Sequence, residues 1–415
     1  MTARAWPDAP AGGALAAAGA AIPAAALDLL RAFVATDGAS AAALALVRPG
    51  GEIGLATVGH AARWRQGPDG ALLPAPGAPI GLDSRFDLAS LTKPVATLGL
   101  VLGLLADGRL GLDAPVGEVL PDARDGAMAS VTLAQLLGHA SGWPAWRDFA
   151  AEVGLAEPEA LRAAVLGTAP VAAPGSTAVY SDLGYMTLGW LVEAVSGAPL
   201  DQAFAAHRDR WRLGRDAGAT TLGYRRRSRT APADPADGEL VATEIWPGRS
   251  VEGRALCGQV HDDNAAGLDG VAGHAGLFGS IADVAGWASA WLEATCDAAP
   301  TQRGATLLGS DPSIVGPWMR RLVATHAAPE TTWRLGWDTP SRPISTAGSR
   351  ASDRAFGHLG FVGTSVWVDP AREAAVVLLT NRVHPARSRV DAIRALRPAL
   401  HDAIWDAIDG ASRQR

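Results

Sequence analysis

The chain has 415 residues, 48% hydrophobic and 19% charged, with a formal net charge of −6, a length that can bury a large core and a walled cleft in one domain or two. Beyond the short run Arg225, Arg226, Arg227 there is no basic cluster, which excludes the electrostatic footprint of a nucleic-acid groove. Two distant cysteines, Cys257 and Cys296, fit neither a disulfide framework nor a zinc knuckle and are expected to be small buried hydrophobes.

In chain order, residues 1–25 read as a loose lead-in, because Pro7, Asp8, Pro10, Gly12 and Gly13 interrupt the alanine-rich stretch before a signal-like apolar block develops. No window reaches the roughly 18 uninterrupted apolar residues of a membrane span, so no membrane span and a cytoplasmic location are expected. Apolar runs at 41–47 and 53–58 flank Arg48-Pro49-Gly50-Gly51, the pattern of a hairpin. Residues 90–110 are apolar almost throughout and lead through Asp107-Gly108, and helical spacing recurs at 132–139 and 183–195. Residues 222–272 lack periodicity and are rich in Pro, Gly, Asp and Arg, which predicts a long excursion that covers a site. Strand signals return at 363–368 and 374–380 around Asp369-Pro370-Ala371-Arg372, and a helix at 390–408 closes the chain. This order predicts an α+β fold in which an antiparallel sheet, built from both chain ends and flanked by helices, carries a mostly helical insertion. A single catalytic domain is expected over 26–412, with its sheet part near 26–95 and 285–412 and its helical, loop-rich part near 96–284.

The clearest chemical signal is Leu88-Ala89-Ser90-Leu91-Thr92-Lys93-Pro94, which contains the only lysine of the chain. A proline is harmless only in the first turn of a helix, where amides have no internal partner, so Pro94 places Ser90 at a helix N-terminus. The dipole there favours an attacking alkoxide and the oxyanion it creates. Residues three apart share a helix face, so the Lys93 ammonium reaches the Ser90 hydroxyl. Guanidinium keeps its proton, whereas a desolvated lysine shifts down and accepts one, a reason for lysine here in an arginine-using chain. Taken alone, Ser-x-x-Lys is equally a plain N-cap ahead of a chance lysine.

Two other constellations carry less. His261, Asp262, Asp263 and His274 are zinc-ligand types, but their spacing matches no zinc helix and Gly273, Gly276 and Gly279 mark a turn-rich loop, so neither metal nor cofactor is expected. His139 and Ser141 in Gly-His-Ala-Ser-Gly lack the central serine of a nucleophile elbow, and Ser141 reads as a turn former.

Several segments recur in a familiar order: Phe86-Asp87-Leu88-Ala89-Ser90-Leu91-Thr92-Lys93, Asp113-Ala114-Pro115-Val116, Leu136-Leu137-Gly138-His139-Ala140-Ser141-Gly142, Tyr180-Ser181-Asp182-Leu183-Gly184-Tyr185, Gly258-Gln259-Val260-His261-Asp262-Asp263-Asn264-Ala265, Gly273-His274-Ala275-Gly276-Leu277-Phe278 and Gly357-His358-Leu359-Gly360-Phe361-Val362-Gly363-Thr364. Together they resemble the β-lactamase-related serine hydrolases, which include class C β-lactamases, D-alanyl-D-alanine peptidases and carboxylesterases of the same fold. The resemblance runs from about residue 26 to the last helix. It implies a β-lactamase/transpeptidase-like fold, a covalent acyl-enzyme on Ser90 with Lys93 as its base, and Tyr180, its pKa lowered by Lys93, as the proton shuttle. It also implies an oxyanion hole from the Ser90 and Phe361 N–H groups, with Asp182, His358 and Gly360 facing the substrate.

Two departures narrow the expected substrate. The β-lactamases typically carry lysine where His358 stands and asparagine where Asp182 stands. A fractionally cationic His358 holds a carboxylate less firmly, and Asp182 repels one. Hydrolysis of a small ester or amide is therefore expected. A D-alanyl peptidase or β-lactamase, with an arginine of the Arg225, Arg226, Arg227 run meeting substrate charge, and a receptor acylated once without turnover remain open.

Overall fold

The computed structural model describes residues 15–211, 220–246, 248–296 and 312–413. Its strands, in chain order, are β1 (Ala16–Gly19), β2 (Ala41–Arg48), β3 (Glu52–Gly59), β4 (Trp64–Gln66), β5 (Leu72–Pro74), β6 (Phe86–Asp87), β7 (Gly223–Tyr224), β8 (Leu277–Gly279), β9 (Phe356–Leu359), β10 (Ser365–Asp369) and β11 (Ala374–Thr380). Six of them form an antiparallel sheet in the order β1-β3-β2-β11-β10-β9. The sheet thus joins both ends of the chain, with β2 against β11 in the register Ala43↔Leu379 and Ala45↔Val377. Residues 16–19, inside the stretch read as lead-in, form its edge strand. Gly50 and Gly51 close the β2–β3 hairpin at φ 78° and 75°, a left-handed backbone that favours glycine.

β2 and β11 read as unbroken apolar runs because both faces are covered. Ala43, Ala45, Val47, Val377 and Leu379 pack with the helix Ile281–Thr295 in one core cluster. The alternate residues Ala42, Leu44, Leu46, Val376 and Leu378 pack with Leu30 and Val34 of the helix Ala24–Ala35 and with Leu400 and Ile404 of the helix Asp391–Arg413. The pleat sends successive side chains to opposite faces, so two buried faces need apolar residues at every position. The helical middle lies beside this sheet, and the small sheet β6-β8-β7 joins the two parts.

The apolar stretch after Ser90 is not one regular helix. A 3₁₀ turn, Ala89–Leu91, passes into a wide π-type turn, Lys93–Thr97, and only then into the α-helix Leu98–Ala106. Helical structure starts at Ala89, so Pro94 falls past the first turn; its missing N–H and bulky ring are met by widening the turn. By length and composition Ala89–Ala106 could cross a membrane, but 89% of it is buried in the protein, where it is the central core helix.

Candidate active site

The small sheet places the segment that carries Ser90. Phe86 and Asp87 pair with Gly279 and Phe278, and the Leu88 N–H donates to the Leu277 carbonyl. The buried Asp87 carboxylate then accepts the N–H groups of Ala89 at 2.8 Å and His261 at 2.7 Å, which ties the Ser90 turn to the long excursion. Burial leaves Asp87 above the usual carboxylate range despite those two bonds. Ala89 is held at φ 47°, a conformation that costs an L-residue roughly 1–2 kcal/mol and that here presents Ser90 to the cleft.

Lys93 is fully buried beneath it. Its Nζ lies 2.6 Å from Asp182 Oδ1, 2.7 Å from the Tyr180 hydroxyl, 3.1 Å from Ser90 Oγ and 3.3 Å from the His274 carbonyl, four oxygens for three ammonium protons. Burial opposes the charge on Lys93, but Asp182 and Tyr180 outweigh it and hold the ammonium above its ordinary range. Burial, reinforced by Asp182, raises the Tyr180 phenol against the pull of Lys93. The resting site therefore contains an ammonium and a neutral phenol. This corrects the expected lowering of both groups: Asp182 sits directly on Lys93 and raises it, and burial raises Tyr180.

Tyr180 is fixed by the start of the helix Asp182–Ser196. The Ser181 N–H donates to His139 Nδ1 at 3.1 Å and its hydroxyl to the Pro144 carbonyl at 2.8 Å. The His139 ring lies 4.7 Å from the Tyr180 ring and 4.5 Å from Trp333, so the histidine of the Gly-His-Ala-Ser-Gly segment packs on the Tyr180 phenol. Burial and the nearby Lys93 hold His139 well below its ordinary range, leaving it neutral.

His358 stands on β9 opposite Val366, with Nδ1 2.9 Å from the Leu359 carbonyl and Nε2 buried without a partner. Burial and Lys93 bring its pKa down to about 3, so it is neutral where fractional charge was expected. Gly360 serves by close approach: a Cβ there would meet Thr364 Oγ1 at 2.0 Å and the Leu88 carbonyl at 2.8 Å, so only glycine lets the end of β9 lie against the Ser90 turn. Phe361 follows it, 51% exposed at the mouth of the cleft.

Ser90, Tyr180, Asp182, His358, Gly360 and Phe361 line one cavity of about 720 Å³, together with Trp146, Trp333, His261, Asp262 and the arginines Arg382, Arg387, Arg394 and Arg397. Sequence reasoning assigned no role to Trp146 or Trp333, which carry no local signal beyond their residue type, and it noted His139 only as part of a segment, without a role of its own. The Arg225, Arg226, Arg227 run lies elsewhere: Arg225 donates to the Gly258 carbonyl, Arg226 pairs with Asp201, and Arg227 donates to the Ala266 and Leu155 carbonyls. The residues weighed as metal ligands are divided among separate partners, His274 with Asp262 at 2.9 Å, His261 with Glu244 at 2.8 Å and Asp263 with Arg249 at 2.6 Å. Burial works against the charge on Asp262, but His274 and Lys93 hold it well below the carboxylate range.

Comparison with known proteins gives one consistent picture. A family model described as beta-lactamase matches residues 27–401. An Escherichia coli K12 protein provisionally named a D-alanyl-D-alanine carboxypeptidase is 26% identical over 339 residues, covering 76% of this chain and 73% of its own. Among solved structures, a class C beta-lactamase from Rhodobacter sphaeroides superposes with a TM-score of 0.61 at 16% identity, over 91% of this chain and 99% of its own. A simvastatin synthase mutant from Aspergillus terreus superposes with a TM-score of 0.63 at 16% identity, over 93% and 98%. At those identities the structural likeness speaks for the fold.

Proposed function

The chain belongs to the beta-lactamase family of serine hydrolases, and from that premise we propose that it hydrolyses small, largely uncharged esters or amides through an acyl-enzyme on Ser90. The observation that carries this reading is Lys93 Nζ, 3.1 Å from Ser90 Oγ and 2.7 Å from the Tyr180 hydroxyl at the floor of an accessible cavity. Ser90 Oγ attacks the substrate carbonyl carbon, and its proton passes to the Lys93–Tyr180 pair. The oxyanion meets the N–H groups of Ser90 and Phe361, Tyr180 protonates the leaving group, and water repeats the cycle on the acyl-enzyme.

The Ser90 proton can be accepted only when Lys93 and Tyr180 together hold one proton fewer than at rest, and the two titrate as a pair. kcat/KM for an activated ester is therefore expected to rise with pH. Asp182 is the attraction that keeps Lys93 protonated, so Asp182→Asn is expected to move the rising limb of the pH–rate profile to lower pH. A limb that stays in place would show that Asp182 does not set the proton affinity of the pair.

A neutral His358 offers no charge to a substrate carboxylate, and Asp182 is committed to Lys93. Trp146, 50% exposed, and Phe361 give the mouth an aromatic rim suited to an apolar acyl or alcohol group. The test is a panel of p-nitrophenyl esters, a chromogenic cephalosporin and D-alanyl peptides on one preparation. The esters are expected to lead the cephalosporin in kcat/KM by about 10- to 100-fold, the loss associated with a missing charged hydrogen bond. A second reading, a D-alanyl peptidase, is favoured by Arg387 and Arg394 on the cavity wall, and preferential release of D-alanine would establish it. A stoichiometric burst without turnover would instead point to a receptor.

A further inference from the structure

Two largely buried guanidinium groups, both reaching the wall of the cavity, stand against the carbonyl side of the turn that joins β9 to β10. Arg397, on the helix Asp391–Arg413, is 8% exposed; its Nη2 donates to the Gly360 carbonyl at 3.1 Å and the Thr364 carbonyl at 2.7 Å. Arg382, 5% exposed, donates from Nε to the Phe361 carbonyl at 2.9 Å and from Nη1 to the Arg387 carbonyl at 2.8 Å, with its guanidinium 4.6 Å from the centre of the Phe361 ring. Neither meets a carboxylate at ion-pair distance among the described residues, and Arg397 Nε is buried without a partner. Burial and the neighbouring Arg382 both press against the charge on Arg397, yet a guanidinium keeps its proton across the working pH range. Two adjacent, largely buried cations without a carboxylate at ion-pair distance are costly; Glu244 acts on Arg382 only from beyond that distance.

Their shared target is informative. The Gly360 carbonyl and the Phe361 N–H belong to one peptide group, so a charged donor on the oxygen draws electron density from the nitrogen and fixes the plane of the amide. We propose that Arg397 is a positioning residue for the oxyanion hole, which orients and polarises the Gly360–Phe361 peptide so that its N–H meets the developing oxyanion as a stronger donor. This rests on the reading that Phe361 N–H receives the oxyanion. A cation held behind the peptide gains most when negative charge builds in front of it, so the effect belongs to the transition state and not to substrate binding. Hydrogen bonds polarise one another in series by roughly 10–30% per bond, which is the scale on which the donor is strengthened.

The test compares Arg397→Gln, which keeps a neutral hydrogen bond within reach, with Arg397→Lys, which keeps the charge, both checked for folding by thermal melting. Arg397→Gln is expected to lower kcat for a p-nitrophenyl ester by roughly tenfold, a fraction of the loss when an oxyanion donor is removed outright, with KM within about twofold. Affinity for phenylboronic acid, whose boron bonds Ser90 Oγ to give a tetrahedral anion, should fall in proportion, and Arg397→Lys should recover part of both. Folded Arg397→Gln with unchanged kcat and boronic acid affinity would overturn the proposal, as would losses confined to melting temperature or KM. If the glutamine variant does not fold, Arg397→Lys decides: parallel losses in kcat and boronic acid affinity support the proposal, and wild-type values for both overturn it. Ser90→Ala measured alongside separates the two levels, since activity surviving in that variant would remove the Ser90 reading itself.

Discussion

Ser90→Ala is expected to lower kcat for p-nitrophenyl ester hydrolysis by roughly 10⁴-fold or more, in line with the 10⁶-fold scale of nucleophile losses in other serine hydrolases. The substitution removes one oxygen and nothing else the site depends on. Alanine retains the backbone N–H at position 90, so both N–H groups proposed to receive the oxyanion are kept. Lys93 retains Asp182 and Tyr180, and the cavity keeps its walls. Melting should shift by no more than about 1 kcal/mol in stability, as for substitutions that create neither a cavity nor an unpaired charge. Ester binding and the oxyanion hole still act on bound water, so residual catalysis above the uncatalysed rate is expected. A folded Ser90→Ala protein with wild-type turnover would place the nucleophile elsewhere.

Lys93→Arg is expected to lower kcat by roughly 10²- to 10⁴-fold, the range associated with losing a positioned acid–base group. The replacement is chosen because it preserves charge. Asp182 keeps a cationic partner and Tyr180 keeps a neighbouring positive field, so the loss isolates the ability to release and regain a proton, which a guanidinium lacks. Lys93→Met provides the contrast: it leaves Asp182, with only 14% of its side chain exposed, without its cation, so melting temperature should fall as well as activity. Rates of Ser90 phosphonylation by a fluorophosphonate, which report acylation without deacylation, should fall with kcat in both variants. Near-wild-type phosphonylation of Lys93→Arg would reduce Lys93 to a fixed charge and leave Tyr180 as the sole base.

Much of the fold was legible because its central strands carry a redundant signal. β11 was placed to the residue at 374–380, and β2 within one residue, since two covered faces demand apolar side chains throughout. β1 was not legible: Ala-Ala-Ala-Gly has no strand preference of its own and is extended only because it pairs with β3 along its whole length. The regular helix expected from residue 90 begins only at Leu98, after two irregular turns, because Pro94 does not mark the helix start and the wide turn lets it lie further in.

At the site, Ser90, Lys93 and Tyr180 converge as the ordered segments implied. What sequence could not supply was the sign of the electrostatics. Asp182 lies 89 positions from Lys93 along the chain, and only folding shows that this cavity-lining carboxylate also pairs with the lysine. His358 likewise loses its charge to burial, which residue type alone does not reveal. Arg382 and Arg397 are anonymous among the many arginines of this chain, and only their hydrogen bonds to the Phe361, Gly360 and Thr364 carbonyls set them apart.

The most direct test of a Ser90 nucleophile is to label the wild-type protein with a fluorophosphonate, digest it and locate the modified residue by mass spectrometry. The expected result is one phosphonyl group on Ser90, with labelling suppressed by excess p-nitrophenyl ester. A label on another residue that is equally suppressed by ester, or full ester turnover by protein that never acquires a label, would contradict it.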